Sequence, residues 1–160
     1  MMTIRPAQPN DTAVIVDFNM AMALETEQKE LDRAVLTDGV QAVFNNPSRG
    51  FYVVAESDGK LIGSLMVTSE WSDWRNGMYW WIQSLYVLPK WRRQGVFRSL
   101  YAFVTRLARQ DGAIRGLRLY VESQNTTARA CYENQGMAQS IYTLYEQTLE
   151  HTTPQTYPHL

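Results

Sequence analysis

The stretch Ile82-Gln-Ser-Leu-Tyr-Val-Leu-Pro89-Lys-Trp-Arg92-Arg93-Gln94-Gly95-Val-Phe-Arg98-Ser-Leu-Tyr101 decides the fold. Ile82 to Leu88 is rich in β-branched, aromatic and aliphatic residues, which suits a buried strand. Pro89 has no N–H and stops the ladder. Beyond a basic loop, Val96, Leu100, Phe103, Val104 and Leu107 recur at helical spacing and predict an amphipathic helix. A basic, glycine-containing loop therefore opens a helix. The first N–H groups of a helix lack intrahelical partners, and its dipole favours negative charge there. This pattern predicts an anion site suited to phosphate.

The surrounding chain reads as a mixed α/β fold. Thr3 to Arg5 is a short strand closed by Pro6. Asn10 and Asp11 cap a helix running through Val14, Ile15, Phe18 and Met22. Leu31 to Asn45 reads as a second helix. Strands Phe51 to Glu56 and Leu61 to Thr68 flank the hairpin turn Ser57-Asp58-Gly59-Lys60. A polar, aromatic loop from Glu70 to Gly77 leads to a long strand, Met78 to Leu88. Asp111-Gly112 ends the central helix, and Gly116 to Glu122 alternates as a strand. Asn125 precedes a short helix closed by Gly136, and Ile141 to Leu149 alternates as a final strand. The strands on either side of the central helix are expected to lie parallel. A ligand crevice is expected at the carboxyl end of the Ile82 strand.

With 160 residues, 45% of them apolar and 19% charged, the chain predicts one domain over 1–150 and a loosely held tail over 151–160. The net charge of −1 gives no general attraction to nucleic acid or anionic membrane. No apolar run approaches the ~18 residues of a membrane span, and no signal peptide is visible. One cysteine, Cys131, rules out an internal disulfide framework, and two histidines near the end leave few ligands for a metal. A cytoplasmic, metal-free protein is the expectation, with homodimerisation left open.

Two motifs carry a resemblance. Arg92-x-x-Gly95-x-Phe97 after Val87-x-Pro89 resembles the acetyl-CoA loop of the GNAT (Gcn5-related) N-acetyltransferases, usually Arg/Gln-x-x-Gly-x-Gly/Ala. Phe97 stands where that family usually has Gly or Ala. Neither the Rossmann nor the Walker A pattern is present. Asn125-x-x-Ala128-x-x-x-Tyr132-x-x-x-Gly136-Met137 resembles a second GNAT motif, with Met137 in place of the usual Phe. Read on residue type alone, Asn125 is equally an N-cap and Tyr132 a core aromatic. The element order β-α-α-β-β-β-α-β-α-β also resembles the GNAT fold over nearly the whole chain.

The resemblance implies an acetyl-CoA-dependent N-acetyltransferase with a primary amine as acceptor, on a small molecule, amino acid or peptide. A non-catalytic acyl-CoA sensor of the same fold is the alternative. Acetyl-CoA would be held by Leu85, Tyr86 and Val87, by Arg92, Arg93, Gln94, Gly95, Val96, Phe97 and Arg98, and by Asn125. Tyr132 would protonate, or hydrogen-bond, the departing thiolate.

The chemistry explains these residue types. A lysine-like amine has a pKa of about 10.4, so at pH 7 about one in 10³ is neutral, a penalty of roughly 4 kcal/mol. A base or a desolvating site must offset it, and the oxyanion needs a donor such as a strand N–H near Val87. Many GNAT enzymes carry a glutamate where this chain has Gln83, which is no base at neutral pH. Glu70 and Asp73 are the alternative bases. Glu25 and Glu27 would attract an ammonium. Trp71, Trp74, Trp80, Trp81 and Trp91 serve chiefly as packing, with some available to wall an acceptor pocket.

Overall fold

The computed structural model describes residues 1–149. Nine regular elements follow one another: β1 (Met2–Pro6), α1 (Thr12–Glu27), α2 (Arg33–Asn45), β2 (Phe51–Ser57), β3 (Lys60–Ser72), β4 (Gly77–Val87), α3 (Val96–Gln110), β5 (Ile114–Leu119) and α4 (Thr126–Glu133). They fall into two compact units, Met1–Glu122 and a second beginning at Ser123.

The first unit is a five-stranded sheet in the order β1-β2-β3-β4-β5. The first three pairings are antiparallel and β4–β5 is parallel, as the helical crossover through α3 requires. The β2–β3 hairpin turns through Asp58 and Gly59, both with positive φ, which is the twist a two-residue hairpin needs.

Side chains of opposite parity bury against helices on both faces. Val53, Leu65, Val67 and Ile82 pack with Val96, Leu100 and Val104 of α3. Tyr52 and Val54 pack with Ile15 and Val16 of α1 and Val40 and Val43 of α2. Leu100 is fully buried, so Leu100→Ala would cost about 2–5 kcal/mol.

Two features of this sheet shape its carboxyl end. Ser84 has φ 49, and the β3–β4 register shifts there: Met66 faces Gln83 but Ser64 faces Tyr86. This is a β-bulge, which bends a strand and increases its twist. The β4–β5 ladder ends at Ile82↔Leu119, while β4 runs on to Val87. Pairing with β5 therefore stops beside the bulge, where β5 itself ends at Leu119.

Several expected boundaries move. α1 continues through the acidic segment to Glu27, ending on left-handed Gln28. The aromatic loop shortens to a turn, because β3 extends to Ser72 and β4 begins at Gly77. The predicted final strand is corrected: residues 141–149 form no strand. Ile141, Tyr142, Leu144 and Tyr145 are exposed there, since alternation without a ladder partner does not make a strand. The expected tail from His151 lies outside the described residues.

Candidate functional site

The site is built at the carboxyl end of β4. From Gln83 to Val87 the edge of β4 that faces β5 has no ladder partner among the described residues. Apart from the Val87 carbonyl, which accepts from Arg92, its backbone donors and acceptors there are available to a ligand. Leu85 and Val87 direct their side chains to the α3 side. Tyr86 points to the α1 side, where its ring lies 5.4 Å from that of Phe18.

Pro89 to Trp91 forms a single helical turn after β4. Arg93 (φ 63) and Gly95 (φ 80) are left-handed, and they turn the chain tightly into α3. Gly63 lets α3 approach: a Cβ there would lie 2.9 Å from the Tyr86 carbonyl and 3.3 Å from Val96 Cγ1. Val96 is buried as the first residue of the helix, and the Phe97 ring lies tilted against that of Tyr101, with centroids 5.8 Å apart. The side-chain amide of Gln94 donates to the Lys90 carbonyl and closes the loop. The guanidinium groups of Arg93 and Arg98 make no hydrogen bond or ion pair among the described residues.

Arg92 is arranged differently. Its Nε donates to the Val87 carbonyl at 2.9 Å, and its Nη2 donates to Glu25 Oε2 at 2.6 Å. The Tyr86 hydroxyl donates to the other oxygen, Glu25 Oε1, at 2.8 Å. Desolvation alone would raise the Glu25 carboxyl, but the hydrogen bonds from Arg92 and Tyr86 outweigh it and hold the group below the usual carboxylate range. Burial and the Glu25 carboxylate together push the Tyr86 phenol up. The last turn of α1 is thus tied to the end of β4.

Gln83 donates from Nε2 to the Thr68 hydroxyl at 2.6 Å, which fixes its amide on the α1 side of the sheet. Glu70 lies elsewhere. It stands opposite Tyr79, eight residues before Val87, or about 26 Å at the rise of a strand. Its carboxylate accepts from Trp81 Nε1 and from Arg118 Nη1, both at 2.7 Å. The Arg118 guanidinium in turn lies 3.8 Å from the centre of the Tyr79 ring. The register thus places Glu70 far along the strand from Val87, with its carboxylate engaged by Trp81 and Arg118. Asp73 sits in the turn beyond it and accepts from the Trp74 N–H.

In the second unit, Asn125 is the N-cap of α4, its side-chain oxygen accepting from Ala128 N at 3.0 Å. Tyr132 lies on the same helix, and burial raises its phenol above the ordinary value.

The arrangement fits a diphosphate ligand with an extended amide-bearing arm. Two uncommitted guanidinium groups flank a helix N-terminus, and an open strand edge runs up to them. The sequence pattern of the acetyltransferase (GNAT) family matches residues 16–137, which include β4, the basic loop and α3. The chain belongs to the GNAT family. A possible acetyltransferase from Clostridium difficile is 42% identical, with a TM-score of 0.88 over 94% of this chain and 99% of that one. A predicted acetyltransferase from Clostridium acetobutylicum, solved with acetyl-CoA, shares the fold at 20% identity, with a TM-score of 0.77 over 94% and 99% of the two chains. An aminoglycoside acetyltransferase from a soil metagenome, in complex with sisomicin, does so at 15% identity, with a TM-score of 0.77 over 93% and 97%. No curated protein sequence matches the chain significantly.

Sequence reasoning located the loop and the strand edge but not the contact of Glu25 with Tyr86 and Arg92. The partners are 61 and 67 residues apart, and no local spacing signals that they meet. A serine inside the apolar run Ile82 to Leu88 was the available sign of the bulge.

Proposed function

We propose that this GNAT protein transfers the acetyl group of acetyl-CoA to the primary amine of a small molecule, amino acid or peptide. The observation that carries the reading is the edge of β4 that runs on past the end of β5, from Gln83 to Val87, beside a basic helix N-terminus. Arg93, Arg98 and the first N–H groups of α3 would hold the diphosphate. The open edge from Gln83 to Val87 would hydrogen-bond the pantetheine amides, with a strand N–H left to stabilise the developing oxyanion. Acetyl-CoA supplies the activated acyl group.

In this reading the chain's own residues bind, orient and move one proton. Gln83, anchored on Thr68, orients the amine or a water beside the strand through its amide oxygen. Proton removal then falls to solvent, since Gln83 is not a base. Tyr132, with its raised pKa, stays protonated at neutral pH and is the candidate donor to the thiolate. Asn125 serves as the cap of the helix that carries Tyr132.

The test is release of CoA thiol from acetyl-CoA in the presence of an amine panel. Tyr132→Phe should lower turnover by about 10²–10⁴-fold and leave acetyl-CoA affinity nearly intact. A lower melting temperature with unchanged rate per folded enzyme would reduce Tyr132 to packing. CoA binding without thiol release from any amine would favour the sensor reading, to which Gln83 in place of a glutamate lends support.

A further inference from the structure

Within the basic loop, one arginine is already paired with an anion. Arg93 and Arg98 are uncommitted, whereas Arg92 is joined to Glu25 at 2.6 Å. The Glu25 side chain comes from the last turn of α1, 67 residues away in sequence, and the Tyr86 hydroxyl holds its second oxygen. Arg92 also donates from Nε to the Val87 carbonyl, so its guanidinium stays beside the strand end whichever anion it faces. The pair is open to water, with side-chain exposures of 42% for Arg92 and 40% for Glu25. Such a pair adds little to folding stability and is readily exchanged for another anion.

We infer that Glu25 is an internal anion that occupies Arg92 in the free protein and is displaced by the diphosphate of the coenzyme. The inference rests on the acetyl-CoA reading of the loop. A protein whose binding-competent state is only partly populated binds its ligand more weakly by that fraction. Glu25 therefore sets the affinity of the loop for diphosphate and makes it a specificity-determining residue. The cost falls on ligands that need Arg92, and a fragment without phosphate escapes it. Exchange leaves the Glu25 carboxylate on Tyr86 alone.

The sign of one substitution separates this from the ordinary alternative. If Glu25 merely orients Arg92 toward the ligand, removing its charge weakens binding. If Glu25 competes, removing its charge strengthens binding.

Calorimetry of the full chain with CoA and with inorganic pyrophosphate, at one fixed salt concentration, tests it on the wild type, Glu25→Gln, Arg92→Gln and the double variant. Glu25→Gln should bind both probes about two- to fivefold more tightly, the range expected from removing one exposed ion pair. The gain should vanish in the Arg92→Gln background, the signature of a contact shared by the two residues. Glu25→Ala, checked by its melting curve, repeats the measurement if Glu25→Gln folds poorly. Weaker or unchanged binding in Glu25→Gln overturns the inference while leaving the acetyl-CoA reading in place. No binding of either probe by the wild type overturns both.

Discussion

Two arginines in this molecule each meet a carboxylate from a distant part of the chain, Arg5 with Glu56 and Arg92 with Glu25, and they are used in opposite ways. Arg5, on β1, is saturated. Its Nη1 and Nη2 donate to the two oxygens of Asp11 at 2.8 and 3.0 Å, and its Nε and Nη2 donate to Glu56 at 3.0 and 2.9 Å. The Asp11 side chain is 12% exposed, and Arg5 is 29% exposed. Arg92 uses Nε and Nη2 only, with a single carboxylate oxygen, and stands more open to water. A guanidinium with all three nitrogens engaged in a bidentate fork is a strut. One with Nη1 uncommitted among the described residues is available for exchange.

The sharpest way to break the comparison is Arg5→Ala. It leaves Asp11 and Glu56 without their cation at the junction of β1, β2 and α1. We expect a loss of about 2 kcal/mol, or a fall in melting temperature of about 4–8 °C, with CoA affinity unchanged. Gly95→Val should reverse that pattern. A β-branched residue at φ 80 is strained by about 1–2 kcal/mol, and the turn that presents Arg93 and Arg98 would shift. Calorimetry should show CoA binding weakened about tenfold or more, and unchanged affinity would remove the loop from the site. Arg92→Ala should move the melting temperature little, because an exposed pair contributes about 0.2–1 kcal/mol, while CoA affinity falls.

The most gradual effect is that of pH. The hydrogen bonds from Arg5 hold the Asp11 carboxyl below its ordinary range, against the desolvation that would raise it. A depressed folded-state pKa contributes stability that is fully present above the unfolded value of about 3.9 and is lost as pH falls through the folded value. Acid titration of the melting temperature should therefore stay flat down to about pH 4 and then fall. In Asp11→Asn that fall should be shallower.

The sheet and the loop were legible because their signals are local. Alternation, Pro89 and Gly95 each act within a few residues, and the structure keeps them. What escaped the sequence is what depends on pairing. Ile141 to Leu149 alternates well, but alternation states only which side chains share a face, and residues 141–149 have no strand partner among the described residues. Glu70 looked like a base because it is acidic and close to the long strand in sequence. The hairpin carries it to the opposite end from Val87, against Arg118. Arg92 looked like a phosphate ligand and sits where one would be wanted, but its partner comes from α1, which no motif announces.

The bulge at Ser84 also acts as a phase switch. Ile82 faces α3, and strict alternation would send residues 84 and 86 the same way. The inserted residue advances the phase by one, so Leu85 and Val87 face α3 and Tyr86 faces α1. Straightening the bulge with Ser84 kept in the alternation would restore the original phase and rotate every later side chain of β4 to the opposite side, whereas deleting Ser84 would leave those faces as they are. In the straightened strand Tyr86 would leave Glu25 and point into the α3 core, and Leu85 and Val87 would trade a packed interior for the α1 side. A single residue thus keeps the two halves of β4 in different registers of the same sheet.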